Sequence, residues 1–317
     1  MRYSRQEVLE YIGKEGQKKL NDSSVSIVGI GALGSVASEL LARAGVGNLR
    51  LIDRDVVEIH NLQRQSLFTE DDVDKPKALQ AKKHLESINS DITIEAHAED
   101  LNQENINEIL KNTNLILDGT DNFGTRFLIN DFSRKENIPW VYAAAIKETG
   151  YVLPIMPNNF CLRCIFKEAR QLETCDTAGV LNTITHLISS IQVTEALKVL
   201  LNKMETPELT KVNIWNNEFK RFTVQKNQEC PACKGNFEYL DKADTDVLKF
   251  CGSDTYQIRK GPIDIASLKK RFSKIGKVLD FQSCLKYENL TIFKDRVLIK
   301  ASSEQEAKSL YSRYIGN

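Results

Sequence analysis

Apolar positions along the chain follow two alternating rhythms: short continuous runs, and longer stripes that recur every three or four residues. Residues 7 to 20 space Val8, Tyr11, Ile12 and Leu20 as one face of a helix. Ser24-Val25-Ser26-Ile27-Val28 then reads as a buried strand running into Gly29-Ile30-Gly31-Ala32-Leu33-Gly34. A small-residue helix from Ser35 to Ala44 follows, stopped by Gly45 and Gly47, and Asn48 to Asp53 is the next strand. Strand, helix and strand together span about 30 residues, the size of a parallel crossover.

The alternation continues. A helix over Lys77 to Asn89 puts Ala78, Ala81, Leu85 and Ile88 on one stripe, and Ile92 to Ala96 is a strand. Helix Glu104 to Lys111, strand Leu115 to Leu117, helix Arg126 to Glu136 and strand Trp140 to Ala144 come in turn, with a longer helix from Thr183 to Leu201. Strict alternation predicts an α/β fold built on a doubly wound, mostly parallel, Rossmann-like sheet.

From about residue 240 the rhythm changes. Thr255 to Ile258 reads as a strand, and Ile265, Leu268, Phe272 and Ile275 mark a helix. Leu279, Phe281, Ser283, Leu285 and Tyr287 alternate as one strand should, and Leu290 to Phe293 with Arg296 to Ala301 flank a Lys294-Asp295 turn. The last helix opens with a capping box, Ser303-Glu304-Gln305-Glu306, and buries Ala307, Leu310, Tyr311 and Tyr314. The expected organisation is a nucleotide-binding domain over 1–240 and a small β-α-β-β-α appendage, α+β in character, over 241–317.

Composition narrows the function classes. Lys plus Arg (43) balances Asp plus Glu (43), so no bulk field draws the chain to nucleic acid or to an anionic membrane. No apolar run approaches a membrane span, and the charged stretch from Met1 to Gly16 lacks the apolar centre of a signal peptide. A cytoplasmic protein is expected, whose seven cysteines are thiols, metal ligands or catalytic groups.

Gly29-x-Gly31-x-x-Gly34 stands after a strand and opens a helix, where a phosphate-binding turn needs it. Asp53 ends the second strand, placed to accept hydrogen bonds from ribose hydroxyls. These features leave NAD, FAD and ATP open. Arg64 in Asn61-Leu62-Gln63-Arg64-Gln65, Lys77 in Asp74-Lys75-Pro76-Lys77, and Asp121 in Asp118-Gly119-Thr120-Asp121-Asn122 add two cations and a strand-end acid. That set suits ATP with Mg²⁺ better than a dinucleotide, because a triphosphate needs extra cations and a carboxylate for its metal.

Arg2-Tyr3-Ser4-Arg5-Gln6, the glycine loop, Asn61–Gln65, Asp74–Lys77 and Thr120-Asp121-Asn122 come in the order seen in the ThiF/MoeB family of adenylating enzymes, which the chain resembles over roughly residues 1 to 240. The resemblance implies that Asp53 holds the ribose, that Arg64 and Lys77 hold phosphates with Asn61 in the same site, and that Asp121 organises Mg²⁺. It also implies that Arg5 reaches into the ATP site of a partner subunit in a homodimer. The implied substrate is a small ubiquitin-like or sulfur-carrier protein ending in Gly-Gly. A terminal carboxylate has a pKa of roughly 3.5, so it is an ionised nucleophile at neutral pH and needs no general base. The scarcity of histidine fits: His84 and His97 read as surface positions, His186 as packed, and His60 is notable only for its place beside Asn61. Three other readings are a small-molecule or peptide carboxylate as acceptor, an NAD-dependent oxidoreductase, and a non-catalytic scaffold partner.

Cys161-x-x-Cys164 and Cys230-x-x-Cys233 suit a closed, structural Zn²⁺ site that ties two distant segments together. Cys175 falls outside the pairs. In the family this stretch is a crossover loop near the adenylate, where a thiolate could take the acyl group as a thioester, join a persulfide relay or lie inert. Cys251 and Cys284 read as packing residues. Some eukaryotic relatives carry a C-terminal sulfur-delivering rhodanese domain, and residues 241–317 are too few for one, so a separate sulfur donor is expected.

Overall fold

The strands at the centre of the sheet, such as Ser24–Val28 and Leu115–Asp118, are short apolar runs because both of their faces are covered, whereas the edge strand Thr93–His97 leaves Thr93 and Glu95 exposed. In the computed structural model, which describes residues 2–166, 178–241, 247–249, 254–281 and 283–316, the first four strands are β1 (Ser24–Val28), β2 (Asn48–Ile52), β3 (Thr93–His97) and β4 (Leu115–Asp118). They continue into β5 (Trp140–Ile146), β6 (Thr149–Ile155), β7 (Glu208–Asn213) and β8 (Glu218–Thr223), in the order β3-β2-β1-β4-β5-β6-β7-β8. From β3 to β5 every pairing is parallel, with Ser24 opposite Asn48 and Val28 opposite Asp118. The order reverses between β1 and β4, which opens a crevice at their C-terminal ends.

Helices cover both faces, as doubly wound folds require. Among the described residues the α-helices of this unit are α1 (Ser4–Glu7), α2 (Gly13–Asn21), α3 (Gly34–Ala44), α4 (Lys77–Ile88), α5 (Ile106–Ile109), α6 (Phe123–Glu136), α7 (Leu162–Ile165), α8 (Asn182–Leu200) and α9 (Glu238–Asp241). On one face Leu41 of α3, Leu85 of α4 and Ile188 of α8 pack on Ile27, Leu49, Leu117 and Val141. On the other, Phe127 and Phe132 of α6 and Ile106 of α5 pack on Ile116, Trp140, Leu153 and Ile155. Among the described residues no helix is long and apolar enough to cross a membrane.

The mostly parallel, doubly wound sheet that the alternation predicts is present, and β6, β7 and β8 extend it in antiparallel fashion, the β5–β6 connection being a tight turn at Lys147 and Glu148. Lys147 takes φ 53°, a left-handed conformation that the chain gives to a lysine, so no Gly or Asn announces the hairpin. One expectation for this unit is corrected: residues 7 to 20 are not one helix. Gly13 at φ 59° breaks them, and Val8 and Tyr11 are 74% and 63% exposed while Ile12 and Leu20 are buried.

Contacts divide the chain into two units, Met1–Val73 with Lys77–Lys242 and Asp74–Pro76 with Ala243–Asn317. The second unit holds a six-stranded antiparallel sheet. Its strands are β9 (Val247–Lys249), β10 (Thr255–Ile258), β11 (Leu279–Asp280), β12 (Leu285–Tyr287), β13 (Leu290–Ile292) and β14 (Val297–Lys300), in the order β11-β12-β13-β14-β10-β9. Tyr256, Leu285, Ile292 and Ile299 form a core with Leu268 and Phe272 of α10 (Ile265–Phe272) and with Ala307 and Tyr311 of α11 (Glu304–Tyr314). The single strand expected over 279–287 is instead two strands folded on each other, Leu279 opposite Lys286, and Ile275 is exposed beyond the end of α10. Ser303 caps α11 by accepting from Glu306 N at 3.2 Å, but the Glu306 carboxylate turns to Ser302 N at 2.8 Å.

Candidate active site and metal centre

The glycine loop lies at the switch point, and Gly29 and Gly34 are there because the backbone packs too closely for side chains at those two positions. Gly29 has φ 86°, and a Cβ on it would stand 2.7 Å from the Gly119 carbonyl. A Cβ on Gly34 would stand 1.9 Å from Gly29 O, so the turn leaving β1 closes directly on the start of α3. Around Gly31 a Cβ would meet nothing nearer than Gln65 Nε2, at 3.9 Å.

Asp53, just past β2, is tied to this loop. One carboxylate oxygen accepts from Ile30 N at 2.6 Å and the other from Asp55 N at 2.7 Å. Burial pushes its pKa up to about 6, against the pull of Lys77, and the Asp55 charge adds to the rise. Lys77 at the start of α4 is itself buried, with Nζ 3.2 Å from Asp55 Oδ2. Burial alone would lower its pKa, but Asp55, Asp53 and Asp121 together hold it above the ordinary lysine value. Arg54 joins the cluster at 3.2 Å from Asp100.

The structure brings most of the anticipated residues to this crevice. Asp121 is exposed in the loop after β4, where it accepts a long hydrogen bond of 3.4 Å from Asn122 Nδ2, and its charge is felt by Lys77, Arg54 and Arg126. Asn61 is buried and accepts from Glu58 N at 3.1 Å, which shapes the turn that carries Arg64. Arg64 is half-buried and donates to His60 O at 3.1 Å. Arg5 stands exposed on α1, in the stretch that also exposes Val8, Leu9 and Tyr11. Cys175 and Cys251 lie outside the described residues. His60 is exposed, His84 bonds Asp72 at 2.7 Å, and His186 is half-buried against Ser66 at 3.2 Å.

Sequence reasoning missed Asp55, Arg54, Arg126 and Gln192. Gln192, buried on α8, donates to Asp118 O (2.8 Å) and Val141 O (2.9 Å), tying the end of β4 to the start of β5. A polar residue interrupting the apolar stripes of α6 and α8 was the available signal for Arg126 and Gln192.

The four paired cysteines converge. All their sulfurs lie within 4.8 Å of one another, with Cys161–Cys230 at 3.5 Å, Cys164–Cys233 at 3.6 Å and Cys161–Cys164 at 4.0 Å. Tetrahedral thiolates at about 2.3 Å from zinc would stand about 3.8 Å apart, so this donor set fits Zn²⁺. The hydrogen bond from Cys161 holds the Cys164 thiol down to about 4, and the same bond, with burial, pushes Cys161 up. Helix α6 holds the first knuckle and the helix that follows the second: Asn130 accepts from Leu162 N at 2.8 Å and Asp131 accepts from Tyr239 N of α9 at 3.1 Å, while Arg163 of the first knuckle pairs with Glu238 of α9 at 2.6 Å.

A glycine loop at the switch point of a doubly wound sheet, with a charged crevice beside it and a separate four-thiol cluster, defines a nucleotide-binding α/β protein with a metal knuckle. Within that class the chain belongs to the ThiF family, whose model matches residues 3–232. It is 38% identical to the sulfur carrier protein ThiS adenylyltransferase of Bacillus subtilis, over 99% of both chains. It is 37% identical to the SAMP-activating enzyme E1 of Haloferax volcanii, over 79% of this chain and 94% of that one. Among solved structures, E. coli MccB with ATP is similar in fold, with a TM-score of 0.65 at 22% identity over 74% of this chain and 75% of that one.

Proposed function

We propose that the chain adenylates the C-terminal carboxylate of a small sulfur-carrier or ubiquitin-like protein ending in Gly-Gly, consuming ATP and releasing pyrophosphate. The observation that carries this reading is the charged cluster at the switch point, where buried Lys77 is held charged by Asp55, Asp53 and the exposed Asp121 beside the glycine loop. Similarity across the whole length of a ThiS adenylyltransferase supports it, and makes the carrier a more fitting acceptor than a small molecule.

In the proposed reaction a carrier carboxylate oxygen attacks the α-phosphorus of ATP, a new P–O bond forms, and the bond to the β-phosphate bridging oxygen breaks with its electron pair leaving on pyrophosphate. The glycine loop and the N-terminus of α3 offer N–H donors to phosphate. Asp53 orients the loop and receives the ribose, while Lys77 and Arg64 offset charge on the departing pyrophosphate. Asp121, an exposed carboxylate engaged by a long hydrogen bond from Asn122, is a hard oxygen donor of the kind Mg²⁺ takes. Bound Mg²⁺ would neutralise charge developing on the phosphates. The four thiolates would hold structural Zn²⁺. The chain would act as a homodimer with Arg5 serving the partner's site, in a cytoplasmic setting, with sulfur supplied by a separate donor.

ATP–pyrophosphate exchange with each Gly-Gly-ended small protein of the same genome tests the reading. Exchange should require an intact tail on one carrier and should fall at least ~100-fold in Asp121→Ala. Unchanged exchange in that variant removes Asp121 from the mechanism. ATP binding without exchange on any carrier would redirect the reading to a peptide or small-molecule carboxylate.

A further inference from the structure

The segment Gly119–Asn122 leaves the end of β4 as a loop, yet a buried cation braces it. Arg126, in the N-terminal turn of α6, donates from Nε to Asp118 Oδ2 (2.9 Å) and from Nη2 to both Thr120 O (2.7 Å) and Ala143 O (3.0 Å). The other oxygen of Asp118 accepts from Thr120 N (2.8 Å) and Thr120 Oγ1 (2.6 Å). Arg126 is 6% exposed and Asp118 0%. Its guanidinium lies 4.9 Å from the Tyr142 ring and 5.4 Å from Phe123. Phe166, which follows α7 of the metal knuckle, closes this aromatic cage against Phe123 and Tyr142, with centroids at 5.1 and 6.4 Å.

We propose that Arg126 is a positioning residue for Asp121, fixing the direction in which that carboxylate faces a divalent cation on bound ATP. The inference rests on the reading of Asp121 as the carboxylate that holds this cation. Thr120 O and the Asp121 nitrogen belong to one peptide plane, so the plane cannot turn without breaking the bond to Nη2. Charged donors make the stronger hydrogen bonds, and the cage keeps water from competing for these. The flat guanidinium fork reaches three acceptors on two chain segments, the end of β4 with its loop and β5, which an ammonium on a shorter stem does not match. A residue that merely packed α6 would loosen the whole fold; a positioning residue loosens the response to the cation.

The test is calorimetry of ATP binding with and without Mn²⁺, standing in for Mg²⁺, on the full chain. In Arg126→Lys, which keeps the charge, the gain in ATP affinity brought by Mn²⁺ should shrink roughly tenfold, the cost of one hydrogen bond to a charged group. The Mn²⁺-free affinity should stay as in the parent. Thr120→Val removes only the hydroxyl bond to Asp118 and should shrink the gain about two- to fivefold, whether or not the arginine variant folds. Asp121→Ala should abolish the gain. An undiminished gain in the folded Arg126 or Thr120 variant, an equal loss of Mn²⁺-free affinity, or a gain that survives Asp121→Ala would each overturn the inference. No carrier enters this measurement, so a failure to adenylate one does not alter what the calorimetry says about Arg126.

Discussion

Asp53 carries the clearest tension among single residues, since its carboxylate is bonded by two backbone N–H groups and yet burial raises its pKa to about 6. A folded pKa above the unfolded value of 3.8 means that the folded state binds the proton more tightly between the two. Its contribution to stability is therefore full below pH 4 and declines as pH rises through 6, by up to ~3 kcal/mol for a shift of this size. Denaturant melts of the parent and of Asp53→Ala from pH 3.5 to 7 should show the parent losing ground to the variant over that window; parallel curves would refute the raised pKa. Nucleotide affinity should move the other way, strengthening as Asp53 ionises and can accept from ribose hydroxyls. Asp53 was legible from the strand end and glycine loop alone. Asp55 was not, because only folding brings α4 back to place Lys77 Nζ 3.2 Å from it.

Among elements, α6 does the most joining. Its N-terminus is capped by Asn122, which accepts from Thr125 N at 2.8 Å, and its middle holds the first cysteine knuckle through Asn130 and α9, which follows the second, through Asp131. The helix was visible as a stripe, but the stripe says nothing of its polar residues' partners, which come from segments about thirty and a hundred residues away. Zinc content should be one per chain. Stripping it with a chelator should lower the thermal midpoint by roughly 10 °C, since a structural zinc contributes several kcal/mol. A midpoint unmoved by chelation would make the thiol cluster a metal-free core feature. The hairpins were harder to read: Lys147 at φ 53° and the doubled strand over 279–287 both hide turns in residues that do not advertise them.

At the scale of the whole molecule the central issue is whether one chain makes a complete site. Arg5 is exposed on a short N-terminal helix next to exposed Val8, Leu9 and Tyr11, an apolar patch beside a cation that the family resemblance assigns to the partner's nucleotide. Subunits of Arg5→Ala and of Asp121→Ala should each be inactive alone in pyrophosphate exchange. Random reassortment would make half the dimers mixed, each with one intact site of two, restoring about a quarter of parent activity. A mixture as inactive as its components would place Arg5 and Asp121 in the same site of the same chain.

The amino-acid sequence by itself determined the parallel half of the sheet, the phosphate loop, the paired cysteines and the family, because each is written in local spacing: period-two and period-3.6 apolar patterns, glycines at fixed intervals, C-x-x-C knuckles. Tertiary structure alone decided the antiparallel extension, the brace of Asp118 and Arg126 around Thr120, and the Lys77–Asp55 pair. Those depend on which distant segments meet in a low-dielectric interior, where a buried charge persists only if folding delivers its partner.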